Sequence, residues 1–565
     1  MRDDDGILIA GAGPTGLAAA CALWQRGVPC RVVDRRHGPA TEPKALVLWS
    51  GALEVLLRLG AVTPLLQRSL PLAGSSYWSG GRRRGWVRFD SLAGTAFPKP
   101  LCVPQSVTES VLYGRLLELG GDVEWNTELT GVDTADRGRD GTVAVTLRPY
   151  GSPDTSVVTP RWLIGADGVH STVREAVGIS FDGGTYARDF LLGDGEFSGE
   201  LPADEAQYHF TPHGVLVVVP LAGGGHRVFF DRPPGGSSSE PPSEEELQHL
   251  LDDRGPGDWT LRHTWWRSTF RVHTKVANRF RSGSVFVAGD AAHCHSPAGG
   301  QGLNTGVQDG YNLGWKLAAV AGGADPSLLD SYEAERRPAA LRAIRNSDRQ
   351  TRLWMVRSGI GRTVRDTMLG LATRTGVLDR RLVPELAQLD PGLAGSPAVP
   401  GRIPAAGGRA VRGPRAGHRL PDTRWKPLAG TTAKTLHEYL ADGRHTLVAL
   451  YRDAPADDDA DRTAELLTGL LDRSPVHDHA GVLLLYGRGP QSGACFRTRP
   501  HDARPGPCAS AVEHQPVLTA WAEREPLIVY VRPDGAVGAW TTAGNLGEFA
   551  RRISVLAGGR ESAAS

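Results

Sequence analysis

The sequence is short of the features that commit a chain to metal, disulfide, membrane or nucleic-acid work. Its six cysteines (Cys21, Cys30, Cys102, Cys294, Cys495 and Cys508) are scattered, with no Cys-x-x-Cys pair. That pattern argues against a zinc ribbon, a dithiol redox centre and a disulfide framework. Acidic and basic residues nearly cancel, leaving a formal net charge of +1, so no global field recruits nucleic acid or an anionic membrane. No apolar run reaches the length of a membrane span. The N-terminus Met1-Arg2-Asp3-Asp4-Asp5 is acidic where a secretory leader is basic. A reduced, cytoplasmic protein is expected. Basic residues are nearly all arginine, and the run Arg82-Arg83-Arg84 reads as a solvated turn.

What is present belongs to a folded chain of several domains. The apolar fraction is 40% and the charged fraction 22% over 565 residues, a length that predicts two or three domains. Residues 232–246 and 390–421 are dense in Pro and Gly and read as flexible. The first interrupts the large N-terminal part; the second separates it from a C-terminal piece of ordinary domain size.

The N-terminus carries chemistry. Ile7-Leu8-Ile9-Ala10 reads as a strand, Gly11-Ala12-Gly13-Pro14-Thr15-Gly16 follows at once, Leu17 to Leu23 reads as a helix, and Cys30-Arg31-Val32-Val33-Asp34 as a second strand. This is the context a dinucleotide fingerprint requires. Gly11 permits the tight turn, Gly13 lets a pyrophosphate reach the backbone, and Gly16 allows close helix–sheet packing. The helix N-terminus then offers unpaired N–H groups and a positive dipole end to the phosphates. Asp34, ending the second strand, suits a ribose hydroxyl and repels a 2′-phosphate, so FAD or NAD fits better than NADP.

Two later segments separate FAD from NAD. Trp162-Leu163-Ile164-Gly165-Ala166-Asp167-Gly168 is a strand ending in Asp-Gly. Val285-Phe286-Val287-Ala288-Gly289-Asp290 is a strand ending in Gly-Asp, followed by His293-Cys294-His295-Ser296-Pro297-Ala298-Gly299-Gly300-Gln301-Gly302-Leu303-Asn304. Over about residues 5–340 these motifs resemble the flavoprotein aromatic hydroxylases, the para-hydroxybenzoate hydroxylase-like monooxygenases. Gln105 and Glu109 match a family segment whose Gln reaches the cofactor. Lys44 stands where the family usually carries Arg, which keeps the charge and changes the geometry.

The resemblance implies an α/β fold in parts. A Rossmann-like FAD-binding domain is expected from residues 1–70, 104–178 and 276–340, and a β-sheet substrate domain from 71–103 and 179–275. A helical connection (341–390), a linker (391–415) and a thioredoxin-like domain (416–560) complete the chain, the last resembling the domain found on phenol and aromatic-polyketide hydroxylases. Lacking Cys-x-x-Cys, that domain does no dithiol chemistry, and packing or homodimer contacts are its default role. The implied cofactor-binding residues are Gly11, Gly13, Pro14, Thr15, Gly16, Asp34, Arg35, Lys44, Gln105, Asp167, Gly289, Asp290, Pro297, Gly300, Gln301, Gly302, Leu303 and Asn304. FAD is the resident cofactor and NADH or NADPH the transient donor, with Asp167 and Arg174 in a motif thought to serve both nucleotides.

The implied reaction is hydroxylation of a polycyclic aromatic, polyketide-like substrate by O2 through a flavin C4a-hydroperoxide. Baeyer–Villiger insertion, antibiotic detoxification, simple-phenol hydroxylation and a flavin-fold binding protein without turnover stand as alternatives. Independently of the resemblance, a helix starting near Asn304 would aim its positive end at the edge of the isoalloxazine where negative charge collects on reduction. Substrate contacts are expected from residues 180–275, with strands at 214–220, 226–231 and 265–273 and with Trp265 and Trp266 as pocket or core residues. Tyr208, His209 and His273 are candidate bases, each more readily read as structural. His293 and His295 beside Asp290 lack the third ligand and spacing of a zinc site.

Overall fold

The computed structural model describes residues 6–557 except 134–142, 233–239, 391, 405–412, 423–434, 453–456, 472–479, 487–492, 498–508 and 511–524. Its first sheet sets the three motifs side by side. Ile7–Ala10 pairs in parallel with Trp162–Gly165 and with Cys30–Asp34, and Trp162–Gly165 pairs in parallel with Val285–Val287. In register, Ala10 lies beside Gly165 and Val33, and Gly165 beside Val287. The loops that begin at Gly11, Ala166 and Ala288 therefore leave one edge of the sheet together, at the carboxyl ends of parallel strands, where such sheets bind ligands. The strands read as unbroken apolar runs because they are buried in one core with the Pro14–Trp24 helix and with strands Thr127–Asp133 and Ala144–Pro149 of a separate three-stranded sheet.

The second sheet has eight strands in the order His293–Cys294, Thr260–Ala277, Phe181–Ser198, His226–Asp231, Val215–Pro220, Glu205–Phe210, Gly74–Ser79 and Arg82–Arg88. Its first strand is part of the third motif, paired through Val276↔His293 and Lys275↔Cys294. The expected strand at 265–273 is half of an 18-residue strand. Its partner Phe181–Ser198, glycine-rich and polar, carries no strand signal of its own; Gly183 lies so close to the neighbouring chain that a Cβ there would sit 1.9 Å from the Thr274 carbonyl oxygen. Arg82-Arg83-Arg84 opens an exposed edge strand, not a turn, where charge blocks further pairing. The stretch 232–246 runs into the Glu244–Arg254 helix, capped by Ser243 Oγ accepting from the Glu246 N–H at 3.1 Å; residues 233–239 within it lie outside the described residues.

Three helices follow the N-terminal part: Asp330–Trp354, Gly359–Arg374 and Val377–Ala387. In the C-terminal piece His445–Tyr451 pairs in parallel with Ala480–Tyr486 and antiparallel with Leu527–Val531, which forms a hairpin with Val537–Thr542. Helices Asp457–Leu471 and Leu546–Ala557 flank this sheet, the first beginning six residues before its apolar pattern becomes legible at Thr463.

Buried ion pairs join the two halves. Glu335, in the Asp330–Trp354 helix, accepts a bidentate pair from Arg532 at 2.7 and 2.9 Å and a bond from Lys316 Nζ at 2.7 Å. Burial alone would raise the Glu335 carboxyl, but the charges of Arg532 and Lys316 outweigh it and hold the group far below the usual carboxylate range. Tyr311 donates to the Pro533 carbonyl at 2.9 Å, and Arg26 bonds the Gly443 carbonyl at 2.8 Å. Glu335→Gln leaves two buried cations short of a counter-charge, and a loss of about 3–5 kcal/mol is expected; an unchanged urea midpoint for the main unfolding transition contradicts that expectation.

Candidate functional site

The crevice is built by two helices that touch through glycine. Pro14–Trp24 and Gly302–Ala321 pack so tightly that a Cβ at Gly306 would sit 2.4 Å from Thr15 Oγ1, one at Gly310 2.2 Å from the Thr15 carbonyl, and one at Gly314 2.7 Å from the Ala22 Cβ. Both helices begin at the same edge of the sheet. Neither N-terminus is capped by a side chain, so the first-turn N–H groups of both face the crevice. The second helix starts at Gly302, two residues earlier than the sequence suggests, because Gly299 and Gly300 take positive φ (77° and 61°) and turn the chain abruptly into it.

The fingerprint glycines divide by role. At Gly11 (φ 104°) a Cβ would lie 2.3 Å from the Ala166 carbonyl, and at Gly16 1.9 Å from the Gly11 carbonyl. Those two are demanded by the protein itself. A Cβ at Gly13 meets nothing within 4 Å; its bareness serves something that approaches from outside.

Asp34 is buried and fully engaged. Oδ2 accepts from the Ala12 N–H (2.7 Å) and Arg36 Nη2 (2.9 Å), and Oδ1 accepts from the Arg36 N–H (2.9 Å) and Nε (3.0 Å). Burial would raise its pKa, but the Arg36 and Ala12 bonds prevail and hold the carboxyl below the usual range. A ribose hydroxyl bound at Asp34 would share the carboxylate with Arg36. Arg36, not Arg35, takes the inward position: Arg35 is exposed, whereas Arg36 also reaches the buried Glu109 at 3.0 Å. Glu109 in turn accepts from Gln105 Nε2 (2.9 Å), and Gln105 Oε1 accepts from the Ala45 N–H (3.4 Å). Gln105 thereby ties down the segment that carries Lys44, which adopts φ 27° and whose carbonyl accepts from Arg227 of the second sheet.

Two carboxylates wait for donors. Asp167 Oδ2 accepts from the Val173 N–H (3.1 Å), while its buried Oδ1 has no partner. Burial raises the Asp167 pKa against the Ser171 and backbone bonds that lower it. Among the described residues no group hydrogen-bonds to Asp290. Its carboxylate faces the open crevice with protein walls around it, and that desolvation raises its pKa against the lowering charges of His293 and Lys44. Beneath Asp290 lies a cluster that sequence reading missed: Asp309 accepts from His293 Nε2 (2.6 Å), Arg336 Nε (2.6 Å) and the Gly289 N–H (3.2 Å). This explains His293 without a metal, and no metal-holding group of His, Cys, Asp or Glu occurs among the described residues.

Several expected contacts shape the site instead of facing it. Asn304 spends its amide on the Trp49 N–H and the Val47 and Gly300 carbonyls, clamping the 47–49 segment onto the glycine loop. Gln301 turns away to the Glu385 carbonyl, leaving Oε1 buried and unpartnered. Pro297 is exposed at the rim, and Pro14 and Thr15 open the first helix. Leu303 is half-buried in the first turn of the second helix. Arg174 is buried and committed to the Val169 and Ala291 carbonyls. Burial pushes the Cys294 thiol up to about 11, away from thiolate chemistry at neutral pH.

The second sheet presents an aromatic wall toward this crevice. Phe190, Phe210, Phe229, Phe270, Tyr77, Tyr208 and Trp266 share a cluster with Ala298 of the glycine loop and with Trp354, Met355 and Leu369 of the helices above. Tyr77 stacks on Tyr208 at 5.2 Å and Phe190 on Phe229 at 5.2 Å; Trp354 closes on Tyr208 at 5.5 Å. Of the candidate bases, only Tyr208 lies on this face. His209 lies on the opposite face, beside Trp78 and Trp259, where burial lowers its pKa to about 4. His273 pairs with Thr185 Oγ1 at 2.8 Å away from the wall. Trp265 is 52% exposed, neither pocket nor core, while Trp266 packs under the Arg227 guanidinium at 5.0 Å.

These residues fit FAD: a bare Gly13, an unpartnered Asp167 oxygen, an unpaired Asp290 and two uncapped helix starts line one crevice. Comparison with known proteins agrees. Residues 5–347 match the family model described as an FAD binding domain. The chain is 35% identical over 464 residues to 6-methylpretetramide 4-monooxygenase of Streptomyces rimosus, covering 80% of this chain and 81% of that one. It is 34% identical over 471 residues to the 12-dehydrotetracycline 5-monooxygenase/anhydrotetracycline 6-monooxygenase of Streptomyces rimosus subsp. rimosus, covering 81% and 88%. Among solved structures, the OxyS anhydrotetracycline hydroxylase from Streptomyces rimosus superimposes with a TM-score of 0.71 at 28% identity, covering 98% of this chain and 99% of that one.

Asp290→Ala is expected to weaken FAD binding by about 1.5–3 kcal/mol through loss of a charged hydrogen-bond partner. A flavin-fluorescence titration measures this, and unaltered affinity removes Asp290 from the ligand set. Gly13→Val, whose side chain enters space free of protein atoms, is expected to keep the apoprotein's melting temperature and lose flavin retention; full occupancy contradicts the assignment.

Proposed function

The chain belongs to the FAD-dependent aromatic hydroxylases that carry this FAD binding domain, and from that premise we propose that its substrate is a polycyclic aromatic polyketide. The observation that carries the reading is the aromatic wall. From Gly74–Ser79 to Thr260–Ala277 it spans six adjacent strands, a width of about 24 Å at ~4.8 Å per strand. A planar fused-ring system offers several rings to stack along such a span, where a single-ring phenol offers one. The relatives named above act on pretetramide- and tetracycline-type substrates.

Bound FAD, reduced by NADH or NADPH, supplies activation of O2 and transfer of one oxygen atom. The chain's own part is binding and exclusion. Asp290, Asp167 and Asp34 would hold hydroxyl groups of the cofactor, and the Gly11–Gly16 turn its pyrophosphate. The open first turn of Gly302–Ala321 would stabilise negative charge on the pyrimidine edge. Trp354, Met355 and Leu369 shield the wall from water. We read the C-terminal sheet, a parallel βαβ followed by an antiparallel hairpin and a helix, as thioredoxin-like and structural.

Holoenzyme supplied with NADH or NADPH, O2 and a panel of naphthols, anthraquinones and tetracenequinones tests this. The expected result is substrate-stimulated nicotinamide oxidation with a new hydroxyl on a fused-ring product. Turnover confined to single-ring phenols would reject the polycyclic assignment. A lactone in the product NMR spectrum would assign Baeyer–Villiger insertion.

A further inference from the structure

One end of the aromatic wall is lined by arginine. By strand register Ser79, Phe210 and Val215 lie in one row, and Asp231 and Phe190 continue it. The chain leaving Trp354 crosses this row into the Gly359–Arg374 helix and brings Arg357 and Arg365 to it, with Arg362 three residues before Arg365 on the same helix. Arg357 Nη2 donates to Asp231 Oδ2 at 2.5 Å. The same carboxylate, 1% exposed, also accepts from Arg188 and Arg254, each at 3.1 Å. One negative charge is divided among three guanidinium groups. Arg365 is 4% exposed; its guanidinium lies 4.3 Å over the Phe210 ring and bonds Asp366 and Ser79. Asp366 is itself shared, with Arg84 at 3.8 Å.

The donors outnumber the acceptors. Arg357 Nη1, Arg362 Nε and Arg365 Nη1 are buried without a hydrogen-bond partner, as are Nε and Nη2 of Arg254. An unmet buried donor on a charged group is costly, and folded proteins keep few. Three from one nine-residue stretch, over the inner face of the substrate sheet, have the chemistry of a site that expects an anion. Planar guanidinium groups match carboxylate and enolate oxygens in shape as well as charge.

We infer that Arg357, Arg362 and Arg365 form an oxyanion subsite that binds an acidic substituent, a carboxylate or enolate, carried by the polycyclic substrate. The inference rests on reading the aromatic wall as the substrate surface and adds to it an orientation. The acidic end of the molecule is fixed at the row Ser79–Phe190, so the ring distal to it is the one turned toward the glycine loop for oxygenation.

The test uses the FAD-loaded enzyme and two probes of matched shape, anthraquinone-2-carboxylate and anthraquinone-2-carboxamide, titrated by the change in flavin absorbance. The holoenzyme is expected to bind the carboxylate at least tenfold more tightly. Arg365→Met and Arg362→Met are each expected to reduce that preference at least threefold, with carboxamide affinity within twofold of the parent. Arg362 has no side-chain partner among the described residues, so its substitution breaks no ion pair and the test survives if Arg365→Met fails to fold. Equal binding of the two probes by the parent enzyme, or a preference that survives both substitutions, overturns the inference. So does displacement of the carboxylate by millimolar inorganic phosphate at constant ionic strength, which would make this a site for free anions. Hydroxylation of fused-ring substrates without carboxylate preference overturns the subsite alone. Carboxylate preference without hydroxylation supports the subsite and removes the proposed reaction.

Discussion

Contact between two helices through glycine sets the dimensions of the rest of the site. Gly306, Gly310 and Gly314 let the Gly302–Ala321 helix lie directly on Thr15, Ala19 and Ala22 of Pro14–Trp24. A side chain at any of the three would clash with Thr15 or Ala22 and push the helices apart. Because both helices start at the carboxyl edge of the same parallel sheet, their closeness brings two positive helix ends into one space. One end suits a pyrophosphate and the other an electron-rich flavin ring. A single packing constraint thereby sets the distance between the two helix ends that the proposed FAD site would use.

That constraint is reinforced from both sides. Arg532 and Glu335 clamp the C-terminal hairpin to the helices behind the crevice, with Lys316 of the glycine-bearing helix in the same cluster. Tyr311, on that helix too, bonds Pro533. The C-terminal sheet is therefore coupled to the Gly302–Ala321 helix by buried charge, which is specific in geometry even where its net contribution to stability is small. On the other side, His293–Cys294 joins the edge of the substrate sheet. The Gly-Asp motif and the residues after it thus join two sheets, which ties the edge of the second sheet to the loop that carries Asp290.

The charges of the site follow a gradient. Around Asp34 and Asp309 every carboxylate is answered by arginine, histidine or an amide, and both groups are held below the usual range despite burial. At Asp167 one oxygen, and at Asp290 the whole carboxylate, lacks a hydrogen-bond partner among the described residues. At Arg357, Arg362 and Arg365 the imbalance is reversed, with donors left over. Unpaired polar groups are expensive in a fold's interior, and those at Asp167 and at the three arginines are among the groups on which the proposed binding roles rest.

The fold family and the cofactor were legible in the residues themselves, because the strand–Gly-x-Gly-x-x-Gly–helix pattern and the Asp-Gly and Gly-Asp strand ends are local. Each needs only a few neighbouring residues to state its backbone geometry. The spacing of Gly302, Gly306, Gly310 and Gly314 was also visible and would have foretold the helix–helix contact. Other features were not local and could not be read in advance. Asn304 and Gln301 sit inside the motif yet turn toward Trp49 and Glu385, and Arg36 displaces Arg35 from the inward position. The strand Phe181–Ser198 exists only because Thr260–Ala277 and His226–Asp231 pair with its two edges. Asp309, Arg336 and the arginine-lined end of the wall join residues tens to hundreds of positions apart. Short-range sequence determines backbone conformation and hence the motifs; which side chain faces a ligand is decided by long-range packing, since burial and pairing belong to the assembled sheets and helices and to no segment alone.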